Sequence, residues 1–395
     1  MISKKTPYTP EYAGYDESRL KILNDHLLHM IAKDQIQGAS YCLARHGKVF
    51  ANTAVGRFSY REKSTKELEP DDLHPIASIT KLFTAIAIMK LFEDGKLILG
   101  QPVGDFIDEF KKPPFDQVTI AGLLTHTSGM HPDAGCFETP YPNSYMSYVT
   151  EGFRNQDPNW IANALRYGMR MKPGVEWAYN SFGYLVLGEI ISRVSGVFAD
   201  EYIYENIIKP CEMKETFFEK QILTKKDLLE RVCIQDADLE KQIAALLRDE
   251  VSDKDPVDLF WDTVPSTAGG IISKASDLVK LGNMMIHGGC YNGNRVLSRI
   301  VIDKMTSNQL GNSVKDYCWG AGGVTRSYGL GCDLRCNDDN LYSNHVFFHE
   351  GAGSCCLMMD PVEDFVAAWF VPFTHGAWYA EGLRHVSNII WSGIK

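Results

Sequence analysis

Nowhere in this 395-residue chain do about 18 consecutive apolar residues occur, the run a helix needs to cross a bilayer, so no spanning helix is expected. The opening stretch MISKKTPYTPEYAGYDESRL has basic residues but no apolar segment after them. That pattern argues against a secretory signal or membrane anchor, and the expected location is cytoplasmic. A cluster of Lys and Arg is missing as well. With 40 basic against 50 acidic side chains and a net charge of -10, neither nucleic acid nor an anionic membrane is an expected partner. The ten cysteines lack the spacing of metal or redox sites and read as reduced, mostly buried thiols, the adjacent Cys355 and Cys356 included. No internal repeat or low-complexity tract is present, which excludes solenoid and disordered architectures.

What is there suits a large globular core: 45% of residues are hydrophobic and 23% charged, in a chain long enough for two lobes. Leu20, Leu23, Leu27 and Ile31 recur at helical spacing behind Asp16, a capping residue, and predict a helix from Asp16 to Lys33. ASYCLARHGKVFANTAVG then reads as a β-hairpin turning at His46-Gly47. From about Leu73 to Trp261 the strand signal fades, and helical spacing governs Leu82–Leu91, Ile120–Leu124, Trp160–Leu165 and Tyr184–Val194. Lys220 to Asp258 is charged and helix-prone, and reads as a solvated insertion. Another amphipathic helix follows over Ser276–His287. Strand patterns return in HVFFHEGAG, SCCLMMD and DFVAAWFVPF, with a turn at Asp360-Pro361 and a closing helix near Trp378. The expected fold is α/β of the α+β kind: an antiparallel sheet flanked by helices and built from both chain ends (1–72 plus 262–395). A mostly helical lobe (73–261) is inserted into it, and the seam between the two offers a cleft.

The segment HPIASITKLF places Ser78 three residues before Lys81 at the start of an apolar helix. In a first turn the backbone N–H groups lack helical acceptors and the macrodipole favours developing negative charge, both useful to a nucleophile. Residues three apart share a helix face, so a buried and therefore neutral Lys81 amine could take the Ser78 proton. The alternative reading is a capping serine followed by a lysine that snorkels to solvent. Two other Ser-x-x-Lys matches, Ser18/Lys21 and Ser392/Lys395, fall on the first helix and at the carboxyl end, away from any expected cleft.

Further segments decide between these readings. LLTHTSGM (Leu123–Met130), PGVEWAYNSFGYLVLGEII (Pro173–Ile191), STAGGIISKASDLVKL (Ser266–Leu281) and HEGAG (His349–Gly353) each resemble a signature of the serine β-lactamase and penicillin-binding-protein superfamily, in that family's order. The likeness runs from about Gly38 to Phe373 and is greatest to class C β-lactamases, DD-peptidases and family VIII carboxylesterases. It implies a serine hydrolase working through an acyl-enzyme, with Ser78 as nucleophile and Lys81 and Tyr179 moving its proton. Literal Tyr-x-Asn matches at Tyr141, Tyr204 and Tyr342 lack the family's flanks, whereas Tyr179 has them. Its motif reads Tyr-Asn-Ser, so Ser181 stands where the family's substrate-holding Asn is expected. In place of Lys-Thr-Gly the chain has His349-Glu350-Gly351. A histidine whose charge varies near neutral pH weakens carboxylate recognition relative to a fixed lysine cation. Gly351 would let substrate approach the strand, and the N–H of Ala352 would join that of Ser78 in an oxyanion hole. His126, in the HTSG turn, is expected to be structural. No metal or cofactor is implied, and the partner is a small-molecule or peptide acyl substrate, an ester or amide in the first instance. A true β-lactamase or D-Ala-D-Ala carboxypeptidase is the alternative within the family, and a non-catalytic penicillin-binding sensor the alternative of another class.

Overall fold

Strand patterns at the two chain ends meet in one sheet. The computed structural model describes residues 1–58, 66–133, 136, 144–222, 228, 230–233, 263–334, 339–352, 355–372 and 378–395. Three strands come from the amino-terminal end, β1 (Ile2–Ser3), β2 (Gly38–Arg45) and β3 (Lys48–Gly56). Three more come from the carboxyl end, β4 (Phe347–Gly351), β5 (Cys355–Asp360) and β6 (Phe365–Phe370). They are ordered β1-β3-β2-β6-β5-β4 and every pairing is antiparallel. The join between the two ends is β2 on β6, with Cys42 opposite Ala368 and Ser40 opposite Phe370. The hairpin turns at His46-Gly47 with φ of 53° and 69°, the left-handed pair that a tight two-residue turn requires.

Both faces of this sheet are covered, which is why its strands read as nearly continuous apolar runs. Alternation along β6 splits its side chains between two cores: Phe365, Ala367 and Trp369 on one side, Val366, Ala368 and Phe370 on the other. The first side is closed by α1 (Glu17–Ala32), through Leu23, Leu27 and Met30, and by the helix Val386–Trp391. Asp16 caps α1 by accepting the Ser18 N–H at 3.0 Å. The second side is closed by the helix Ala275–Ile286, where Gly282 lies so close to Val366 that a Cβ would overlap it.

Among the described residues between the two halves of the sheet, helices hold far more of the chain than strands do, as the spacing predicts. α2 (Thr80–Glu93) is buried from Thr80 to Met89 and packs on α3 (Ser181–Ser195). A helix apolar on all sides belongs inside a large core. The structure adds short strands that periodicity does not signal: His74–Pro75 and Phe217–Phe218 both pair with Ile271–Ser273, and Glu176–Trp177 pairs with Lys315–Asp316. Two-residue strands carry no period. Most of the predicted charged insertion, and Gly353, Phe373 and His375, lie outside the described residues. Among the described residues no single helix is long and apolar enough to cross a membrane. Among the described residues no disulfide links two cysteines, and every described cysteine but Cys290 is buried.

Candidate active site

Ser78 does not sit in the first turn of α2, as the sequence suggests, but in a separate 3₁₀ turn, Ala77–Ile79, that feeds into it. Ala77 has φ of 44°, a left-handed conformation that costs a residue with a Cβ about 1–2 kcal/mol. The turn is pinned from several sides. The Ile76 N–H donates to the Ile271 carbonyl at 2.9 Å, the Ile271 N–H donates to Thr80 Oγ1 at 3.2 Å, and the Cys355 thiol donates to the Ile76 carbonyl at 3.3 Å. β4 packs directly against it. There Gly351 fits only because it has no side chain, since a Cβ would overlap the Ile76 carbonyl. Ala352, next along, is exposed.

Lys81 lies with its Nζ 2.9 Å from Ser78 Oγ and donates to the Ala268 carbonyl at 2.8 Å. It does not snorkel: it is 1% exposed, and burial lowers its pKa to about 8, against the opposing pull of Asp133. The same Nζ is 4.9 Å from the ring centre of Tyr179. Tyr179 precedes α3, and its ring is packed by Trp177, Trp319 and His126, with His126 closest at 4.4 Å between ring centres. A phenolate stabilised by the lysine is therefore not the resting state. Burial pushes the Tyr179 hydroxyl well above its ordinary value, and a hydrogen bond with Ser78 offsets this only in part. Ser78, Lys81 and Tyr179 thus converge, although 98 residues separate Lys81 from Tyr179 in the chain.

Ser181 differs from expectation. Its hydroxyl donates to Asp133 Oδ2 at 2.5 Å and its N–H to Asp133 Oδ1 at 2.7 Å, while the Asp133 N–H donates to the Tyr179 carbonyl at 2.8 Å. The hydroxyl proton is thus committed to a carboxylate within the protein. Asp133 escapes sequence reasoning because a lone Asp in a Pro/Gly-rich loop has no spacing to mark it. Trp319, to which the sequence assigns no role beyond lining a pocket or packing, is exposed with φ of 50° and stands 5.4 Å from the Tyr179 ring. His126 is structural as expected: its Nδ1 accepts the Asn180 N–H at 3.1 Å and its carbonyl the Ala178 N–H at 2.8 Å, fixing the backbone on both sides of Tyr179. Asp133→Ala removes the partner of two Ser181 donors and should cost about 1–3 kcal/mol in chemical denaturation. An unchanged midpoint would show that the clasp holds nothing.

His349 is not a variable charge near neutral pH. It is 4% exposed, and burial pushes its pKa down to about 4, with Lys81 acting in the same direction. His74, stacked on Phe370, is held down to about 3 by burial, and His126 well below its ordinary value. Each is a histidine whose folded pKa is depressed below the unfolded value near 6.5. Below that pH the unfolded chain binds protons that the folded one refuses, so the contribution of these histidines to stability is full above about 6.5 and is lost as pH drops. All three act in the same direction, and the buried carboxyls of Asp72, Asp133 and Asp200, which burial raises, oppose them in part. Urea unfolding at pH 7, 6 and 5 checks this, and a flat profile would contradict it.

Among the described residues no group of three or more His, Cys, Asp or Glu could hold a metal ion. A buried lysine between a half-buried serine and tyrosine, beside a strand end, is chemistry that a family can be recognised by. The profile of the Beta-lactamase family matches residues 23–386. The chain belongs to the beta-lactamase family. Protein flp of Staphylococcus aureus strain MW2 is 32% identical over 197 residues, covering 49% of this chain and 37% of the relative, so the match spans well under half of that protein. The octameric penicillin-binding protein homologue from Pyrococcus abyssi is similar at 25% identity and a TM-score of 0.67, over 94% of this chain and 78% of that one. A family VIII carboxylesterase shares the fold at 19% identity and a TM-score of 0.68, over 96% of this chain and 98% of that one. The beta-lactamase fold thus accounts for the sheet from both termini and for the helical segment between them.

Proposed function

We propose that this beta-lactamase-family protein is a serine hydrolase that cleaves esters or amides through an acyl-enzyme on Ser78. The observation that carries the reading is the buried Lys81 amine 2.9 Å from the Ser78 hydroxyl, with burial favouring its neutral form. In the proposed cycle Ser78 Oγ attacks the substrate carbonyl as its proton passes to Lys81 Nζ. The backbone N–H groups of Ser78 and Ala352 receive the oxyanion, on a strand that Gly351 lets lie against the Ile76 carbonyl. Tyr179, a neutral phenol beside Ser78 and Lys81, relays a proton to the leaving group and regains it from the lysine. Water then attacks the acyl carbonyl and Ser78 is released with its proton restored.

The Asp133–Ser181 contact favours simple acyl substrates over β-lactams, because the residue at the family's substrate-holding position is already bonded within the protein. A fluorophosphonate probe, short p-nitrophenyl esters and nitrocefin, run side by side on the wild type and Ser78→Ala, test the reading. Labelling at Ser78 with ester turnover supports it. A chain that neither labels nor turns over any of them would instead fit a non-catalytic sensor.

A further inference from the structure

The His349 ring has one nitrogen bound and one bare. Nδ1 lies 2.7 Å from the carbonyl oxygen of Glu350, and a carbonyl only accepts, so the Nδ1 proton is fixed there. In a neutral ring the other nitrogen, Nε2, then presents a lone pair. That nitrogen is buried and has no hydrogen-bond partner. An acceptor left bare in a low-dielectric site is costly, and such groups in folded proteins are commonly met by water or ligand.

Alternation along β4 says where the ring stands. Phe347, His349 and Gly351 share one face of the strand. On that face Phe347 packs in the core that contains Ile76 and Ile79, and Gly351 abuts the Ile76 carbonyl. His349 therefore faces the turn that carries Ser78, and Lys81 is close enough to act on its charge. The other groups that act on it are Asp333 and Arg326. The Arg326 guanidinium is paired through its two terminal nitrogens, with Asp316 at 2.7 Å and Asp333 at 2.5 Å, two carboxylates against one cation, while its buried Nε has no hydrogen-bond partner. Asp133 adds a further carboxylate beside Lys81. Among these groups the permanent cation, Arg326, is outnumbered by carboxylates, and the titratable Lys81 is engaged with Ser78 and the Ala268 carbonyl, so neither replaces a fixed lysine facing a substrate carboxylate.

We infer that His349 Nε2 is a substrate-recognition acceptor, and that this site selects an uncharged acyl substrate bearing a hydrogen-bond donor, a hydroxyl or an amide N–H, in place of a carboxylate. This rests on the acyl-enzyme reading and names the substrate class for it. Lysine at the same point would offer only donors, so the replacement reverses the polarity of the contact while leaving the Ser78 chemistry in place.

The test uses matched esters with the same reacting group. In one series the alcohol part varies: 4-(hydroxymethyl)phenyl acetate, 4-methylphenyl acetate and 4-acetoxybenzoate. In the other the acyl part of p-nitrophenyl esters carries a terminal hydroxyl, methyl or carboxylate. In at least one series the hydroxyl-bearing ester is expected to exceed both others about tenfold in kcat/KM, chiefly through KM. His349→Leu should erase that preference, and His349→Lys should turn it toward the carboxylate, with thermal melts confirming that both variants fold. The wild-type series stands without the variants. A wild type that labels at Ser78 yet prefers the carboxylate, or ignores the substituent in both series, overturns this inference alone. A wild type that neither labels nor turns over any ester overturns the hydrolase reading, and this one with it.

Discussion

Ser78→Ala should lose all covalent labelling by a fluorophosphonate and about 10⁴- to 10⁶-fold of ester turnover, the range seen when the nucleophile of a serine hydrolase is removed. The size of the effect follows from the pathway. Without Oγ there is no acyl-enzyme, and what remains is whatever the oxyanion donors and binding contribute to direct attack by water. The substitution removes one half-exposed hydroxyl from a turn that Ile271, Thr80 and Cys355 pin through other atoms, so the fold should survive. Intact-mass measurement after probe treatment, with thermal melting as a control, reads the result. Adduct on Ser78→Ala, or activity within tenfold of the wild type, would place the nucleophile elsewhere.

Lys81→Met should cost about 10²- to 10⁴-fold in kcat/KM, the usual worth of a positioned general base. The wild-type pH profile supplies a second check on the same residue. With a pKa of about 8, the amine is mostly protonated at pH 7 and cannot accept the serine proton, so kcat/KM should climb with pH and level off above about 8. Stability follows the same titration. Between about 8 and the ordinary lysine value the unfolded chain holds a proton that the folded chain has released, so wild-type stability rises with pH across that window. Below pH 8 the penalty of burying the ammonium is fully present, on the order of 3 kcal/mol for the shift from 10.5. Lys81→Met lacks this term, so its stability relative to the wild type should be more favourable at pH 6 than at pH 10. A profile without a limb near 8, or a stability difference independent of pH, would mean that Lys81 is not the titrating base.

Much of the fold is legible in the sequence because its cause is local. The α1 helix follows from an Asp cap and four apolar residues at helical spacing, and the structure places it over Glu17–Ala32. The three carboxyl-terminal strands follow from β-rich runs split by turn residues, and their ends agree within a few residues. The short strands of the middle region were not legible, since two residues leave no periodicity to detect. Within the site, Ser78 and Lys81 are joined by a helical interval that sequence alone displays. Tyr179 was found only through its resemblance to a family pattern. Asp133 carries no mark in the sequence, because its partners at Tyr179 and Ser181 lie more than 40 residues away.

The amino-acid order by itself determined which groups were available: a hydroxyl and an amine three residues apart, apolar stretches able to bury them, and strands at both ends of the chain. Tertiary structure alone decided their state. Burial made Lys81 a weaker base that loses its proton more readily and His349 a neutral ring with one bare nitrogen, and packing bound the Ser181 hydroxyl to Asp133. The reason is that protonation and hydrogen-bond commitment depend on the solvent that a group loses and the partners it meets in space. Neither of those is a property of neighbours along the chain.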